Sequence, residues 1–127
     1  MTLGQEVNLK AAVIVTTPQK LAYVDVIKGI DMFDKLKVPT IAVVENMSYY
    51  KCTGCDLKHK IFGIGYTNQL RNDFGIKNSY EVPILEEIAS MSDSGTPFVL
   101  TLPEQTDIVQ VYHQLAHKVV DEVKQLD

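Results

Sequence analysis

Residues 11–44 read AAVIVTTPQKLAYVDVIKGIDMFDKLKVPTIAVV, and this stretch decides the fold. Two β-branched runs without polar alternation, residues 11–17 and 38–44, are typical of parallel strands covered on both faces. Between them, apolar residues recur at three- and four-residue steps, which predicts a crossover helix over residues 18–37. These apolar residues are Ala22, Val26, Ile30 and Phe33. The stretch is therefore a βαβ unit, which is right-handed in nearly all cases.

The rest of the chain continues this alternation. Residues 46–65 form the least regular stretch, which indicates a long functional loop. The elements predicted after it are a helix over 66–74 that stops at Gly75, a strand over 76–82, a short helix over 84–91, an extended segment over 98–102 and a long helix. The apolar stripe of that last helix is Ile108, Tyr112, Leu115, Val119, Val123 and Leu126.

This order of elements predicts an α/β fold with a partial doubly wound, mainly parallel sheet and flanking helices. Three strands make a thin sheet, since a doubly wound domain usually has five or more. Residues 1–9 read as the end of a helix. We therefore expect further strands of this sheet to lie outside the 127 residues.

Composition fits one globular domain, because the chain has 127 residues of which 46% are hydrophobic and 22% charged. Residues 61–127 hold ten acidic and four basic residues, and this negative charge repels phosphate backbones. The longest unbroken apolar run, residues 11–15, is too short to cross a bilayer, and no secretory signal follows Met1. We expect no nucleic-acid partner, no membrane partner and no secretion.

The strongest local signal for chemistry is the segment Cys52-Thr53-Gly54-Cys55. Two thiolates at this spacing can face one metal ion or cluster, because Thr-Gly lets the backbone turn and frees amide N–H groups to point at sulfur. A basic cluster around the pair is expected to favour the thiolate form. It consists of Lys51, Lys58 and Lys60. One chain supplies two sulfurs, whereas an iron–sulfur cluster or a closed zinc site needs four ligands. A twofold dimer would supply the other two.

The residue pattern alone leaves zinc, an iron–sulfur cluster and a redox dithiol open for this pair. His59 could be a third zinc ligand, although a lone histidine in a lysine-rich loop is more often simply solvated. His113 and His117 resemble a zinc-protease helix, but Gln114 stands where that chemistry needs a glutamate. We interpret these two histidines as ordinary helix surface.

Asn46 follows the second strand at its carboxyl end, which is where open α/β sheets place their ligands. Its amide could recognise the edge of a purine, because it can donate and accept hydrogen bonds at the same time. The other interpretation is an asparagine that caps the following turn. No phosphate-binding Gly-x-x-x-x-Gly-Lys-Ser/Thr loop occurs in the sequence, and Gly63-Ile64-Gly65 indicates a sharp turn instead.

Several sequence blocks occur in a fixed order along nearly the whole chain. They are AVIVTTPQKLA (12–22), VDV (24–26), KG (28–29), KVP (37–39), VVENMS (43–48), the cysteine pair, IFG (61–63) and SDSGTP (92–97). Together these blocks resemble the Mrp/ApbC family of iron–sulfur carrier ATPases. That family belongs to the deviant P-loop class related to the MinD-type cell-division ATPases.

The resemblance implies that residues 1–127 are the C-terminal part of an Mrp-like P-loop ATPase domain, with the cysteine loop at about 46–65. It implies a 4Fe-4S cluster that Cys52 and Cys55 bridge between the two subunits of a homodimer and that passes to apo iron–sulfur proteins. It also implies that Asn46 contacts the adenine of ATP and that the segment around Pro83 borders the base.

The family's lysine-bearing phosphate loop and its magnesium-holding aspartate would lie upstream of Met1. We therefore expect ATP and Mg binding, and ATPase activity, in a full-length parent, whereas this chain alone has no catalytic residue and does not hydrolyse ATP. Leu85 departs from the aspartate that relatives often have there. The expected location is the cytoplasm, a mitochondrion or a plastid. The alternative function is a zinc-binding structural or protein-interaction module that uses the same cysteine pair.

Overall fold

A three-stranded parallel sheet forms the centre of the molecule in the computed structural model, which describes residues 7–126. Its strands, in the order in which they lie side by side, are β1 (Ala12–Thr16), β2 (Thr40–Glu45) and β5 (Ser79–Glu81). In the register of the sheet, Ile14 lies opposite Val43, and Val44 lies opposite Tyr80. The predicted α/β class with a mainly parallel sheet and flanking helices is confirmed.

Helices cover both faces of this sheet. The described residues form α1 (Lys20–Lys35), α2 (Thr67–Phe74), α3 (Glu86–Asp93), α4 (Phe98–Thr101) and α5 (Asp107–Leu126). The predicted stop after α2 is confirmed, since Gly75 takes the left-handed conformation with φ +69°. Within residues 7–126, no helix has the length and apolar character that a membrane crossing requires.

Two apolar cores lie on opposite faces of the sheet, because successive side chains of a strand point to opposite sides. Val43 enters the first core and Val44 enters the second. The other buried residues of the first core are Ile14, Val26, Ile30, Leu70 and Ile76. Those of the second are Val82, Ile108 and Val109. Helices α1 and α2 thus supply one layer and α5 supplies the other.

Residues 98–102 form a helical turn, so the extended segment predicted there is wrong. The turn is held by a hydrogen bond from the Leu102 N–H to the Phe98 carbonyl (2.9 Å) and one from the Thr101 hydroxyl to the Pro97 carbonyl (3.0 Å). A helical turn brings Phe98 and Leu102 together onto the second core. Packing therefore overrides the strand propensity of the Phe-Val-Leu-Thr run.

The predicted loop over residues 46–65 contains a small β-hairpin. Its strands are β3 (Tyr50–Lys51) and β4 (Lys58–His59), which pair antiparallel. The hairpin lies just beyond the carboxyl end of β2. It carries the cysteine pair at its tip, so this segment is more regular than the sequence indicated.

Strand β1 is less covered than its apolar sequence predicted. Ile14 and Thr16 are buried, whereas the side chain of Val15 is 64% exposed. The reason is that α5 contacts β2 and β5 and leaves the outer part of β1 uncovered. The helix end predicted over residues 1–9 lies outside the described residues for positions 1–6, and residues 7–9 are not helical.

Candidate functional site

The tip of the hairpin folds the cysteine pair into a tight turn. Tyr50 lies opposite His59 in the two-stranded ladder. Beyond the strands, the Cys52 N–H donates to the Leu57 carbonyl at 2.9 Å, and the Asp56 N–H donates to the Cys52 carbonyl at 2.8 Å. These two bonds bend residues 52–57 back on themselves and bring the two thiols side by side.

Three hydrogen-bond donors point at the sulfur of Cys52. The backbone N–H of Gly54 donates to it and lowers the pKa of the Cys52 thiol, and the Cys55 thiol and backbone N–H act in the same direction. Burial and the negative charge of Asp56 oppose this effect and raise that pKa in part. The net result favours the thiolate, which is the form that binds metals.

The lysines around the pair do not cause this shift, which corrects the expectation from the sequence. Each lysine contacts the body of the protein instead. The contacts are Lys51 Nζ with Asp107 Oδ2 at 3.8 Å, Lys58 Nζ over the Tyr49 ring at 4.5 Å from its centroid, and Lys60 Nζ with Glu81 Oε1 at 3.0 Å. The lysines thus attach the hairpin to β5, to α5 and to Tyr49, which directly precedes β3.

Three metal-ligating side chains come together on the hairpin. The ligand atoms of Cys52, Cys55 and His59 all lie within 4.8 Å of one another. Cys55 and His59 are exposed and Cys52 is half-buried, so the group faces solvent. The sequence left two interpretations of His59 open, a third zinc ligand and a solvated side chain, and favoured the second. Its place beside the sulfurs depends on the pairing of β3 with β4, a register that the loop sequence did not reveal.

A buried carboxylate at the base of the hairpin was missed by the sequence analysis. Glu45 ends β2 and is only 1% exposed. Its Oε1 accepts a hydrogen bond from the Ser48 hydroxyl at 2.7 Å, while Oε2 lies against Gly65 without a hydrogen-bond partner among the described residues. The only signal in the sequence was a charged residue that directly follows an apolar strand.

The environment of Glu45 favours its neutral form. Burial raises the pKa of Glu45, the Ser48 hydrogen bond and the nearby Lys60 charge lower it, and Glu81 raises it, with a net upward shift. Lys60 also donates to the Ser48 hydroxyl oxygen at 3.3 Å. A chain of polar contacts therefore runs from the end of the central strand to the hairpin.

Asn46 and Pro83 lie on adjoining segments at the carboxyl edge of the sheet. The Val82 N–H donates to the Glu45 carbonyl and the Ser48 N–H donates to the Val82 carbonyl, both at 2.9 Å. Asn46 lines a cavity of about 430 Å³ beside the end of β1, whereas Pro83 lines a different one of about 310 Å³. The structure brings the two segments together but opens these two residues to separate cavities.

The side chain of Asn46 makes the turn contact that was its alternative interpretation. Its Oδ1 accepts the Met47 N–H at 3.0 Å, and Met47 has φ +54°. Asn46 is exposed, and its own N–H donates to the Thr16 carbonyl at 2.7 Å, which joins the ends of β1 and β2. The contact between Asn46 and adenine stays a prediction.

Comparison with known proteins finds a matching family model and several similar proteins. A family model described as ParA, NUBPL iron-transfer P-loop NTPase, matches residues 1–120. The chloroplastic Fe-S cluster assembly factor HCF101 of Arabidopsis thaliana is 43% identical over 122 residues, which are 96% of this chain and 22% of that protein. The iron-sulfur cluster carrier protein of Haemophilus influenzae is 38% identical over 123 residues, which are 97% of this chain and 33% of that protein.

A solved structure is similar as well. It is a nucleotide-binding protein from Archaeoglobus fulgidus in complex with ADP and with Co, and it is 36% identical with a TM-score of 0.60. The similarity covers 68% of this chain and 35% of that one. The chain thus spans between 22% and 33% of the length of the two curated relatives above, so it corresponds to a fragment of each.

Proposed function

The chain belongs to the ParA family of NUBPL-type iron-transfer P-loop NTPases, and from this membership we propose that it carries an iron–sulfur cluster on Cys52 and Cys55. The observation that carries the proposal is the pair of adjacent thiols on a solvent-facing turn. The cluster is cargo in this account, and an exposed site allows it to be received and released. Apo iron–sulfur proteins are the proposed recipients.

The donor set fits a cluster shared between two chains. A 4Fe-4S cluster is held by four cysteine thiolates, and one chain supplies two. A second copy related by a twofold axis supplies the other two from the same turn. Because residues 53–59 are exposed, a second copy of the turn has access to the thiols. We therefore propose a 4Fe-4S cluster bridged between the subunits of a homodimer.

The nucleotide part of the proposal concerns a longer parent. We propose that residues 1–127 are the C-terminal part of a P-loop domain that binds ATP and Mg. Asn46 would face the adenine with its N–H₂ group, and the segment around Pro83 would border the base. The ADP in the Archaeoglobus structure supports a nucleotide site in this fold. The chain alone lacks a phosphate-binding loop motif, so we expect it not to hydrolyse ATP.

The compartment is also a proposal. The Arabidopsis relative carries the word chloroplastic in its name, which supports a plastid, and the cytoplasm and the mitochondrion are the other proposed locations. A second candidate function is a zinc-binding structural or interaction module. The observation that favours it is the third donor, His59, beside the two sulfurs. Elemental analysis of protein produced with both iron and zinc in the medium separates the two candidates.

Cysteine variants test the proposed function. Anaerobic reconstitution of the chain with iron and sulfide should give a brown protein, and Cys52→Ser or Cys55→Ser should reduce the retained iron to near background. His113→Ala is the matched control, because His113 lies on the exposed face of α5 and should leave iron retention unchanged. If both serine variants hold as much iron as the unmodified chain, the cluster does not bind at this turn.

A further inference from the structure

The proposed function uses two donors of a group that contains three. Cys52, Cys55 and His59 belong to one chain, and their ligand atoms all lie within 4.8 Å of one another. A cluster bridged by four thiolates does not need the imidazole. Cluster binding therefore does not explain why His59 lies beside the two sulfurs.

The hairpin pairing explains why His59 faces the sulfurs. Residues directly opposite each other in an antiparallel pair point to the same face, and side chains alternate along each strand. Tyr50 is opposite His59, and the Cys52 N–H to Leu57 carbonyl bond continues the pairing by one step. Cys52 therefore lies on the same face as His59, one diagonal step away.

The separations suit a single ion. Zinc binds thiolate at about 2.3 Å and imidazole at about 2.0–2.1 Å, so tetrahedral geometry places these ligand atoms about 3.6–3.8 Å from one another. The observed limit of 4.8 Å is close enough for small side-chain rotations to close the site. Two thiolates and one imidazole form a donor set that suits zinc and similar borderline divalent ions.

We propose that Cys52, Cys55 and His59 of one chain bind a single divalent transition-metal ion such as zinc, in competition with the bridged iron–sulfur cluster. The proposal rests on the proposed function, because the competition exists only if the same two thiols also serve the cluster. An ion held by both thiols of one chain leaves no sulfur for a shared cluster, so the ion-bound chain stays a monomer with respect to this site. His59 then determines which of the two cargoes the turn prefers.

Cobalt(II) is a suitable probe, since it takes zinc sites and gives absorption bands from tetrahedral thiolate ligation. The metal-free, reduced chain should bind one Co²⁺ per chain under anaerobic conditions and elute as a monomer. His59→Ala should weaken this binding on the order of 100-fold, because loss of a direct ligand costs at least as much as loss of an outer partner. His59→Cys should restore tight binding, which separates ligation from folding.

His113→Ala is the control variant. His113 is an exposed residue of α5, so this variant removes an imidazole without changing the hairpin and should bind Co²⁺ as the unmodified chain does. The inference is overturned if His59→Ala binds Co²⁺ as tightly as the unmodified chain with the same bands. An endpoint of one ion per two chains, in a dimer, also overturns it.

Cluster loading of the same variants keeps the two proposals distinct. His59→Ala should accept an iron–sulfur cluster as fully as the unmodified chain, and added zinc should displace less of that cluster than in the unmodified chain. If the unmodified chain takes up no cluster but one Co²⁺ that depends on His59, the proposed function fails and the metal site stands. If the cluster loads normally and the affinity for Co²⁺ does not depend on His59, only the inference about His59 fails.

Discussion

At Glu45 the protein buries a carboxyl group whose Oε2 atom lacks a hydrogen-bond partner within residues 7–126. The groups that face it are the Ser48 hydroxyl, the Lys60 ammonium group, the Glu81 carboxylate and the backbone at Gly65. Gly65 has φ +78°, and an added methyl group there would overlap the Glu45 carboxylate.

The raised pKa of Glu45 gives the stability of the protein a definite pH dependence. Because the folded state holds this proton more tightly than the unfolded state, the free energy of unfolding should fall as pH rises from the ordinary carboxyl pKa through the raised one. Glu45→Gln removes this contribution. We expect the variant to match the unmodified chain at pH values below the ordinary carboxyl pKa and to become progressively more stable than it as pH rises above that pKa.

Urea unfolding of both proteins across this pH range measures the effect, and the difference between them removes the contribution of other groups. The Ser48 hydroxyl can still donate to the amide oxygen of Gln, so the variant keeps the observed hydrogen bond. A difference that stays constant with pH would mean that Glu45 ionises as an exposed carboxyl does, contrary to its burial.

At the scale of elements, three lysines attach the hairpin to the body of the protein. Lys60→Met removes the contacts of Lys60 with Glu81 and Ser48 while keeping the apolar stem. The global free energy of unfolding should change by less than about 1 kcal/mol, because the Lys60 and Glu81 side chains are 34% and 49% exposed. Amide hydrogen exchange should nevertheless become faster in β3 and β4, since the hairpin loses one of its attachments.

Lys118→Met is the matched control for this prediction. Lys118 pairs with Glu122 within α5 at 3.6 Å, so its loss removes a comparable ion pair far along the chain from the hairpin. Exchange in β3 and β4 should not change in this variant. Equal exchange rates in the hairpin of both variants would show that Lys60 does not hold it.

The elements that the sequence predicted correctly are those set by local periodicity. The βαβ unit follows from two apolar runs and the apolar stripe of the helix between them. The end of α2 follows from a single residue, Gly75, which takes the left-handed conformation there. Residues 98–102 were predicted incorrectly because an aromatic and β-branched run has strand propensity, whereas the helical turn is selected by packing against the second core. Such packing depends on contacts that are distant in sequence.

The candidate site also has features that the sequence predicted and features that depend on contacts distant in sequence. The spacing of Cys52 and Cys55 was enough to predict that the thiols lie together. The backbone N–H groups that the Thr-Gly turn was expected to point at sulfur do lower the pKa of Cys52. The expected effect of the lysines is wrong, because the lysines reach partners as distant in sequence as Asp107. The sequence left His59 open between a third zinc ligand and a solvated side chain, because its position depends on which residues of β3 and β4 pair.

At the scale of the whole molecule, the fold presents a small cysteine-bearing hairpin on an α/β body with a core on each face of its sheet. The hairpin lies beyond the carboxyl end of the central strand, next to the segments of Asn46 and Pro83. This arrangement places the proposed cluster turn and the proposed base-contacting segments at one edge of the sheet. Lys51, which precedes Cys52, lines the same cavity as Pro83, so the cysteine turn and the Pro83 segment border one cavity.

Native mass spectrometry of the anaerobically reconstituted chain tests most directly whether two copies hold one cluster between them. The account predicts an iron-bearing species with the mass of two chains plus a single 4Fe-4S unit, equal to two iron and two sulfide per chain. Replacement of Cys55 by serine should abolish that species. Iron and sulfide found together on single chains, or dimers that form without any iron and sulfide bound, would contradict the account.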